Sequence, residues 1–286
     1  MQSRKVFRVS VPPRSSGSEI HQAILDLGEA YEEVHLLAAS AQFLTPREVC
    51  GLRALIDWAA RTAGHVIFHC PVNDDLHRYL TRVDFYTDPP DNVKITRPVP
   101  QLHRHDRRER LIELVRIRTA DDVERLFERI SNIAAGQFGK GSAVAKAWAT
   151  TVATATDNTI EHARSPIGAL VSAQRYRQSG LELAVVDLGD GVPATLRRNP
   201  RYSDLTDLGA VEHALEDGVS SSQEQGRGAG LAELVRDVGR VGQYTLRVSS
   251  GNAELTLGWD NGRKSRNRSI PASYVRGTWI AIRLDN

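Results

Sequence analysis

The chain has few of the features that mark secreted, membrane-spanning or metal-centred proteins. Its two cysteines, Cys50 and Cys70, have neither Cys-x-x-Cys spacing nor enough partners for a disulfide framework. No stretch approaches the roughly 18 apolar residues that cross a bilayer, and the first residues lack the apolar core of a signal peptide. These absences predict a soluble, cytoplasmic protein with reduced thiols and no membrane contact.

An excess of one charge is also missing. The 37 basic and 35 acidic residues leave a net charge of +2, which gives no electrostatic case for binding nucleic acid. We interpret two short basic runs, 103–108 and 263–268, as solvated linkers or hairpin tips. The nine histidines have no cysteine or acidic partners at ligand spacing, so no zinc site is predicted. What remains is a globular composition, 41% apolar and 25% charged, with room for two domains.

The first hundred residues alternate between strand-like and helix-like patterns. Strands are predicted around Val6, Val34, Val66 and Val93, and helices over Glu19–Tyr31, Pro46–Ala63 and Asp74–Thr81. We predict an αβ domain over 1–100, a linker and connecting helix over 101–141, and a second domain over 142–286. The connecting helix, predicted over Asp121–Ala135, contains no histidine, which disfavours a self-phosphorylating histidine kinase.

The second half carries two glycine clusters. The apolar run 183–186 is predicted to be a strand and ends in Asp187-x-Gly189-x-Gly191. Further on, Gly226-Arg227-Gly228-x-Gly230 leads into a predicted helix that opens at Leu231. Glycine lacks a Cβ, so these loops let backbone N–H groups approach a polyphosphate at a helix N-terminus. No Walker A or Rossmann pattern is present, and we interpret the clusters as an ATP site.

A long helix is predicted over Ser142–Arg164. It places Asn158 and His162 on one face. Asparagine has poor propensity inside a helix, so it is either a buried residue satisfied by a neighbouring loop or part of a site.

The three boxes, in the order Asn158, Asp187-x-Gly189-x-Gly191 and Gly226-x-Gly228-x-Gly230-Leu231, resemble the GHKL, or Bergerat, ATP-binding family over roughly the last half of the chain. This family includes gyrase-type topoisomerases, heat-shock chaperones, histidine kinases and anti-sigma serine kinases. The resemblance implies an α/β sandwich, which the strands predicted at 243–248, 253–257 and 277–284 suit as a mixed sheet.

The resemblance also implies roles for individual residues and the cofactors ATP and Mg²⁺. Asn158 would hold Mg²⁺ against the phosphates, and Asp187 would accept a hydrogen bond from the adenine amino group. The glycines of the first cluster would pass beside the base, and those of the second would hold the phosphates. Arg227 either neutralises a phosphate or is a solvated loop arginine. Residues 192–225 would form a mobile lid.

One position departs from the family pattern. The family's catalytic glutamate, four residues before the asparagine, is replaced here by Thr154, whose hydroxyl is a poor general base. We therefore predict slow or absent hydrolysis, and a regulatory protein in which Mg-ATP orders the lid and controls a protein partner. An anti-sigma-type serine/threonine kinase and a dimerising ATPase remain open as alternatives.

The first domain is weakly similar to the STAS domain of anti-sigma factor antagonists. The similarity rests on layout, with 43–46 turning into a predicted helix and 69–71 following a predicted strand. Thr45 would correspond to the position that those regulators phosphorylate, but the usual Asp-Ser motif is missing. Threonine followed by proline is also an ordinary helix start, and we favour that interpretation.

Overall fold

The computed structural model describes residues 5–15, 17–28, 31–102, 111–139, 163–176, 180–216, 243–260 and 263–284, together with Ala149 and Thr156. These residues form a mixed α/β protein with one parallel and one antiparallel sheet.

The N-terminal part is a parallel sheet with strand order β1-β2-β3-β4. Its elements follow the predicted alternation: β1 (Val6–Ser10), α1 (Ser18–Asp26), β2 (Tyr31–Leu37), α2 (Pro46–Thr62), β3 (Ala63–His69), α3 (Asp74–Arg82) and β4 (Val93–Ile95). The first helix is shorter than predicted, because the chain turns at Leu27 and Gly28 and Tyr31 already belongs to β2.

Helix starts in this part follow their capping residues. Thr45 is the N-cap of α2, with Pro46 at the first helical position, and its backbone N–H donates to the Glu48 carboxylate at 2.8 Å. Asn73 caps α3 by accepting a hydrogen bond from the Leu76 N–H at 3.0 Å. The interpretation of Thr45 as a helix cap is confirmed.

The C-terminal part is built on a seven-stranded sheet with order β10-β9-β8-β11-β7-β6-β5. Its elements are β5 (Leu111–Ile117), α4 (Ala120–Phe138), β6 (Ala169–Tyr176), β7 (Gly180–Asp187), α5 (Gly191–Leu196), α6 (Asp207–Ala214), β8 (Tyr244–Gly251), β9 (Ala253–Asp260), β10 (Arg263–Ser269) and β11 (Val275–Leu284). A 3₁₀ turn, Pro200–Tyr202, lies between α5 and α6.

The prediction of a mixed sheet in this part was wrong. Every neighbouring pair among the described strands is antiparallel. Strands β7 and β8 do run in the same direction, as a crossover connection allows. However, β11 inserts between them and pairs antiparallel with both. A second correction concerns the basic run 263–268, which lies in the edge strand β10 and not in a linker or hairpin tip.

Helix α2 lies between the two sheets and joins them into one core. It contacts β2 and β3 on one side and β6 and β7 on the other. Gly51 allows this approach, because a Cβ there would lie 2.3 Å from the ring of Trp279 on β11. Trp279 is fully buried in a cluster that also contains Phe68 and Val186. The opposite face of the seven-stranded sheet packs against α4 and α6 in a second core.

Candidate functional site

The candidate site centres on Asp187, the last residue of β7. This strand lies inside the sheet, between β6 and β11, so its end is shielded on both sides. The Asp187 side chain is only 1% exposed. Its Oδ1 accepts a hydrogen bond from the Gly189 N–H at 2.7 Å, and the backbone N–H of Thr278 donates to the same carboxyl group.

The electrostatics of this carboxyl group are unusual. The pKa of Asp187 is raised from 3.8 to about 7: burial is the largest cause, the two backbone donors oppose the increase, and the nearby Asp190 carboxylate adds to it. Among the described residues, the donors to this carboxyl group are neutral backbone N–H groups, so a further hydrogen-bond donor would stabilise its ionised form. A perturbed carboxyl of this kind at the end of a central strand is a candidate binding group.

The backbone around Asp187 is packed too closely to admit a Cβ at two glycines, Gly189 and Gly277. A Cβ at Gly189 would lie 1.9 Å from the Ala163 carbonyl oxygen, and a Cβ at Gly277 would lie 2.1 Å from the Asp187 carbonyl oxygen. The Asp190 N–H donates to that same Ala163 oxygen at 2.8 Å. Glycine is therefore required here by backbone packing, whether or not a ligand is bound. Gly191 has φ +77 and opens α5.

Ser165 joins the loop to the start of β6. Its Oγ accepts from the Leu188 N–H at 3.2 Å and donates to the Gly168 carbonyl oxygen at 2.7 Å. Together with the Ala163 carbonyl, this places the end of the segment that carries Asn158 against the Asp187 loop.

Most of the predicted phosphate and metal residues lie outside the described part of the chain. These are Thr154, Asn158, His162, Gly226, Arg227, Gly228, Gly230 and Leu231. Their predicted roles stay predictions. Of the predicted helix over 142–164, Ala149, Thr156, Ala163 and Arg164 are described. The first three are helical and buried, whereas Arg164 has φ +50 and lies outside the helix.

The first part of the predicted lid is a packed element, which corrects the expectation that all of 192–225 is mobile. The Val192 N–H donates to Ser250 Oγ at 3.0 Å. Asp207 at the start of α6 accepts from Arg197 at 2.6 Å and from the Asn252 N–H at 2.7 Å. These contacts hold α5 and α6 against β8 and the β8–β9 turn, and residues 217–225 lie outside the described part.

The sequence analysis missed two site residues, Gly277 and Thr278. Both touch Asp187, although position 277 lies 90 residues after position 187 along the chain. The only signal was a glycine directly before the apolar alternation of β11. Ser250 supports them, because its Oγ donates to the Gly277 carbonyl oxygen at 2.6 Å.

A second polar cluster lies between α2 and the seven-stranded sheet. Glu182 of β7 faces the N-cap of α2, and burial together with the Glu48 carboxylate raises the pKa of Glu182 to about 7. The hydroxyl groups of Tyr79 and Tyr176 are buried nearby, and burial raises the pKa of both phenols. This cluster makes the contact between the two sheets sensitive to protonation.

The outer face of the parallel sheet carries a hydrogen-bonded row. His35 Nδ1 lies 2.9 Å from His69 Nε2, and His35 Nε2 lies 2.7 Å from Glu33 Oε1. Desolvation and the neighbouring His35 lower the pKa of His69. Within the described residues, no group of three or more His, Cys, Asp or Glu side chains has the geometry of a metal site.

Comparison with protein families and with curated proteins adds no assignment: no family model matches the chain, and no curated protein does. Among the described residues, no helix combines the length and the apolar character needed to cross a membrane.

Proposed function

We propose that this protein binds an adenine nucleotide through Asp187. The observation that carries the proposal is the buried Asp187 carboxyl group at the end of a central strand, whose pKa is raised to about 7 and whose donors among the described residues are backbone N–H groups. An ionised carboxylate there can accept a hydrogen bond from the exocyclic amine of adenine and would repel the carbonyl oxygen of guanine.

The loop around the carboxyl group is held in one position, which suits a preorganised acceptor. The Gly189 N–H donates to Asp187, and Ser165 Oγ accepts from the Leu188 N–H in the loop that follows. The resemblance to the GHKL family supports the finer parts of the proposal: a Bergerat-type domain, Mg²⁺ on Asn158, and phosphates on Gly226, Gly228 and Gly230. When bound, Mg-ATP would supply a charged polyphosphate for these residues to hold.

The packing favours a regulatory role for the nucleotide. Thr278 donates to Asp187, and the next residue, Trp279, packs on Gly51 of α2. The ring of Trp279 also meets the ring of His21 at 4.1 Å between centroids. A change at the Asp187 carboxyl group therefore reaches the N-terminal layer through two consecutive residues of one strand, which is a short path for biasing a partner surface.

Thr154, in place of a glutamate, supports slow or absent hydrolysis within this proposal. We therefore keep a nucleotide-gated regulatory protein as the function, with a protein partner controlled by the bound state. The kinase and the dimerising ATPase differ from it in one measurable respect, since each releases or transfers the γ-phosphate.

The test is equilibrium binding of ATP and GTP to the wild-type protein, Asp187→Asn and the control Asp190→Asn. Asp190 is the neighbouring carboxylate and pairs with Arg198 at the surface. We expect wild type and Asp190→Asn to prefer ATP, and Asp187→Asn to bind ATP about 10- to 100-fold more weakly, as expected for losing a hydrogen bond to a charged group. Equal binding of ATP by Asp187→Asn and wild type would refute the proposed role. Intact ATP after incubation supports the regulatory function. Released phosphate supports the dimerising ATPase, and transfer of the γ-phosphate to protein supports the kinase.

A further inference from the structure

A cavity of about 290 Å³ opens beside the candidate site, between the end of β5 and the start of β6. It is lined at the end of β5 and by the turn that leads into β6, through Ile117, Arg118, Arg164, Ser165, Pro166, Gly168 and Ala169. Its size is near the lower limit of small-molecule pockets. Asp187 does not line the cavity. The two are nevertheless close, since Ala169, which lines it, pairs with Asp187 across the sheet.

Two of the residues that line the cavity, Arg118 and Arg164, are cationic. Within the described residues, neither the Arg118 nor the Arg164 guanidinium forms an ion pair or a hydrogen bond. The nearest carboxylate on the β5 side, Asp122, is already engaged. It accepts from the backbone N–H groups of Arg118 and Thr119 and pairs with Arg125 at 2.5 Å. Both arginines are exposed, so their charges are accessible from solvent to an outside anion.

The backbone holds Arg164 at this cavity in an uncommon conformation. Arg164 has φ +50, in the left-handed region that arginine rarely adopts. The other described non-glycine residues with positive φ are aspartates, a residue type that tolerates it better. Strained backbone of this kind persists where the surroundings impose it, and it is frequent at ligand sites. Here Ser165, bonded to Leu188 and Gly168, fixes the turn that aims Arg164.

We propose that Arg118 and Arg164 form an oxyanion site for a small organic phosphate or carboxylate. Guanidinium groups bind both ligands through paired N–H donors, and two arginines lining one cavity suit a compact, multiply charged anion. A cavity this small takes a metabolite-sized ligand and not a nucleic-acid strand. The inference goes beyond the proposed nucleotide site and does not depend on it.

The site would nevertheless communicate with Asp187. The Ser165 hydroxyl accepts from the Leu188 N–H and the Ala163 carbonyl accepts from the Asp190 N–H, so the two neighbours of Arg164 along the chain hold both sides of Gly189. An anion that orders Arg164 therefore acts on the loop behind the adenine carboxylate, and we expect it to change ATP affinity.

The experiment titrates inorganic phosphate, and separately citrate, into the full chain at constant ionic strength, followed by calorimetry or NMR. The variants are Arg118→Gln, Arg164→Gln and Arg164→Gly. The matched control is Arg125→Gln, which removes a nearby arginine that does not line the cavity. Arg164→Gly removes the charge and also relieves the positive φ, so its fold is expected to be at least as stable as that of wild type.

We expect each cavity variant to weaken the anion by about tenfold or more, and Arg125→Gln to bind as wild type does. The stronger of the two anions in wild type identifies the ligand class. Equal binding by wild type and Arg164→Gly, or no binding by wild type, would overturn the proposal.

Asp187→Asn separates this site from the nucleotide site. We expect it to bind phosphate as wild type does, so a protein that binds phosphate but not ATP contradicts only the proposed function. If Asp187→Asn also loses phosphate, or if ATP displaces phosphate competitively, the two arginines belong to the nucleotide site and the separate anion site is wrong.

Discussion

Replacing Asp187 by asparagine is expected to separate nucleotide binding from stability. In the folded protein, burial raises the pKa of this carboxyl group from 3.8 to about 7. Folding therefore favours the protonated form. The stability that this provides is fully present below the unfolded pKa and is lost as the pH rises through about 7.

The size of the effect follows from the two pKa values. The difference between 3.8 and about 7 corresponds to an upper limit of about 4 kcal/mol in the free energy of unfolding. Asparagine keeps an oxygen for the Gly189 and Thr278 donors but does not ionise. Its amide protons need acceptors, which costs about 1–3 kcal/mol if they stay unpaired. This cost is the same at every pH.

The assay is urea unfolding of wild type and Asp187→Asn at several pH values from about 4 to about 8. We expect the stability of wild type relative to the variant to fall steadily as the pH rises, by up to about 4 kcal/mol in total. Because the comparison is a difference, it cancels other titrating groups such as His21, whose pKa is lowered to about 3 by burial and by Arg47. A difference that stays constant with pH would refute the reasoning that this carboxyl group is buried and protonated in the nucleotide-free protein.

Three further predictions concern the fold around the site. Gly51→Ala should lower the free energy of unfolding, measured with urea, by about 1–3 kcal/mol, since the new Cβ meets the Trp279 ring. An unchanged or higher free energy of unfolding would contradict the packing of α2. In wild type, the free energy of unfolding should fall as the pH rises from 4.5, the ordinary pKa of a glutamate, through about 7, the pKa of Glu182 in the folded protein. Glu182→Gln should remove this fall, and an unchanged pH profile would contradict the buried position of Glu182. Thr119→Ala should cost about 1 kcal/mol by removing the N-cap that bonds Asp122, again measured by urea unfolding, and no loss would mean that the cap contributes nothing.

Several local features were predictable because their causes lie within a few residues. The Thr45–Glu48 and Thr119–Asp122 capping pairs mark the starts of α2 and α4. Short apolar runs predicted β7 and β11, and glycines after Asp187 predicted a tight loop. The αβ order of the first hundred residues followed from the same short-range signals.

Other features depended on partners distant along the chain. The basic run of β10 has no apolar alternation, and its strand conformation depends on pairing with β9. Residues 192–216 contain loop-like sequence, yet Ser250 and Asn252 hold them against the sheet. Periodicity alone does not report such pairings, because the partner strand or loop is not in the window being read.

The sequence by itself determined where Asp187 ends a buried strand and why glycines follow it, since propensity and the absence of a Cβ act locally. Only the tertiary structure decided that β11 lies between β7 and β8. That insertion brings Thr278 to Asp187 and Trp279 to Gly51. The physical reason is that sheet order is chosen by the burial of whole faces and by backbone pairing between distant segments, and both are properties of the assembled core.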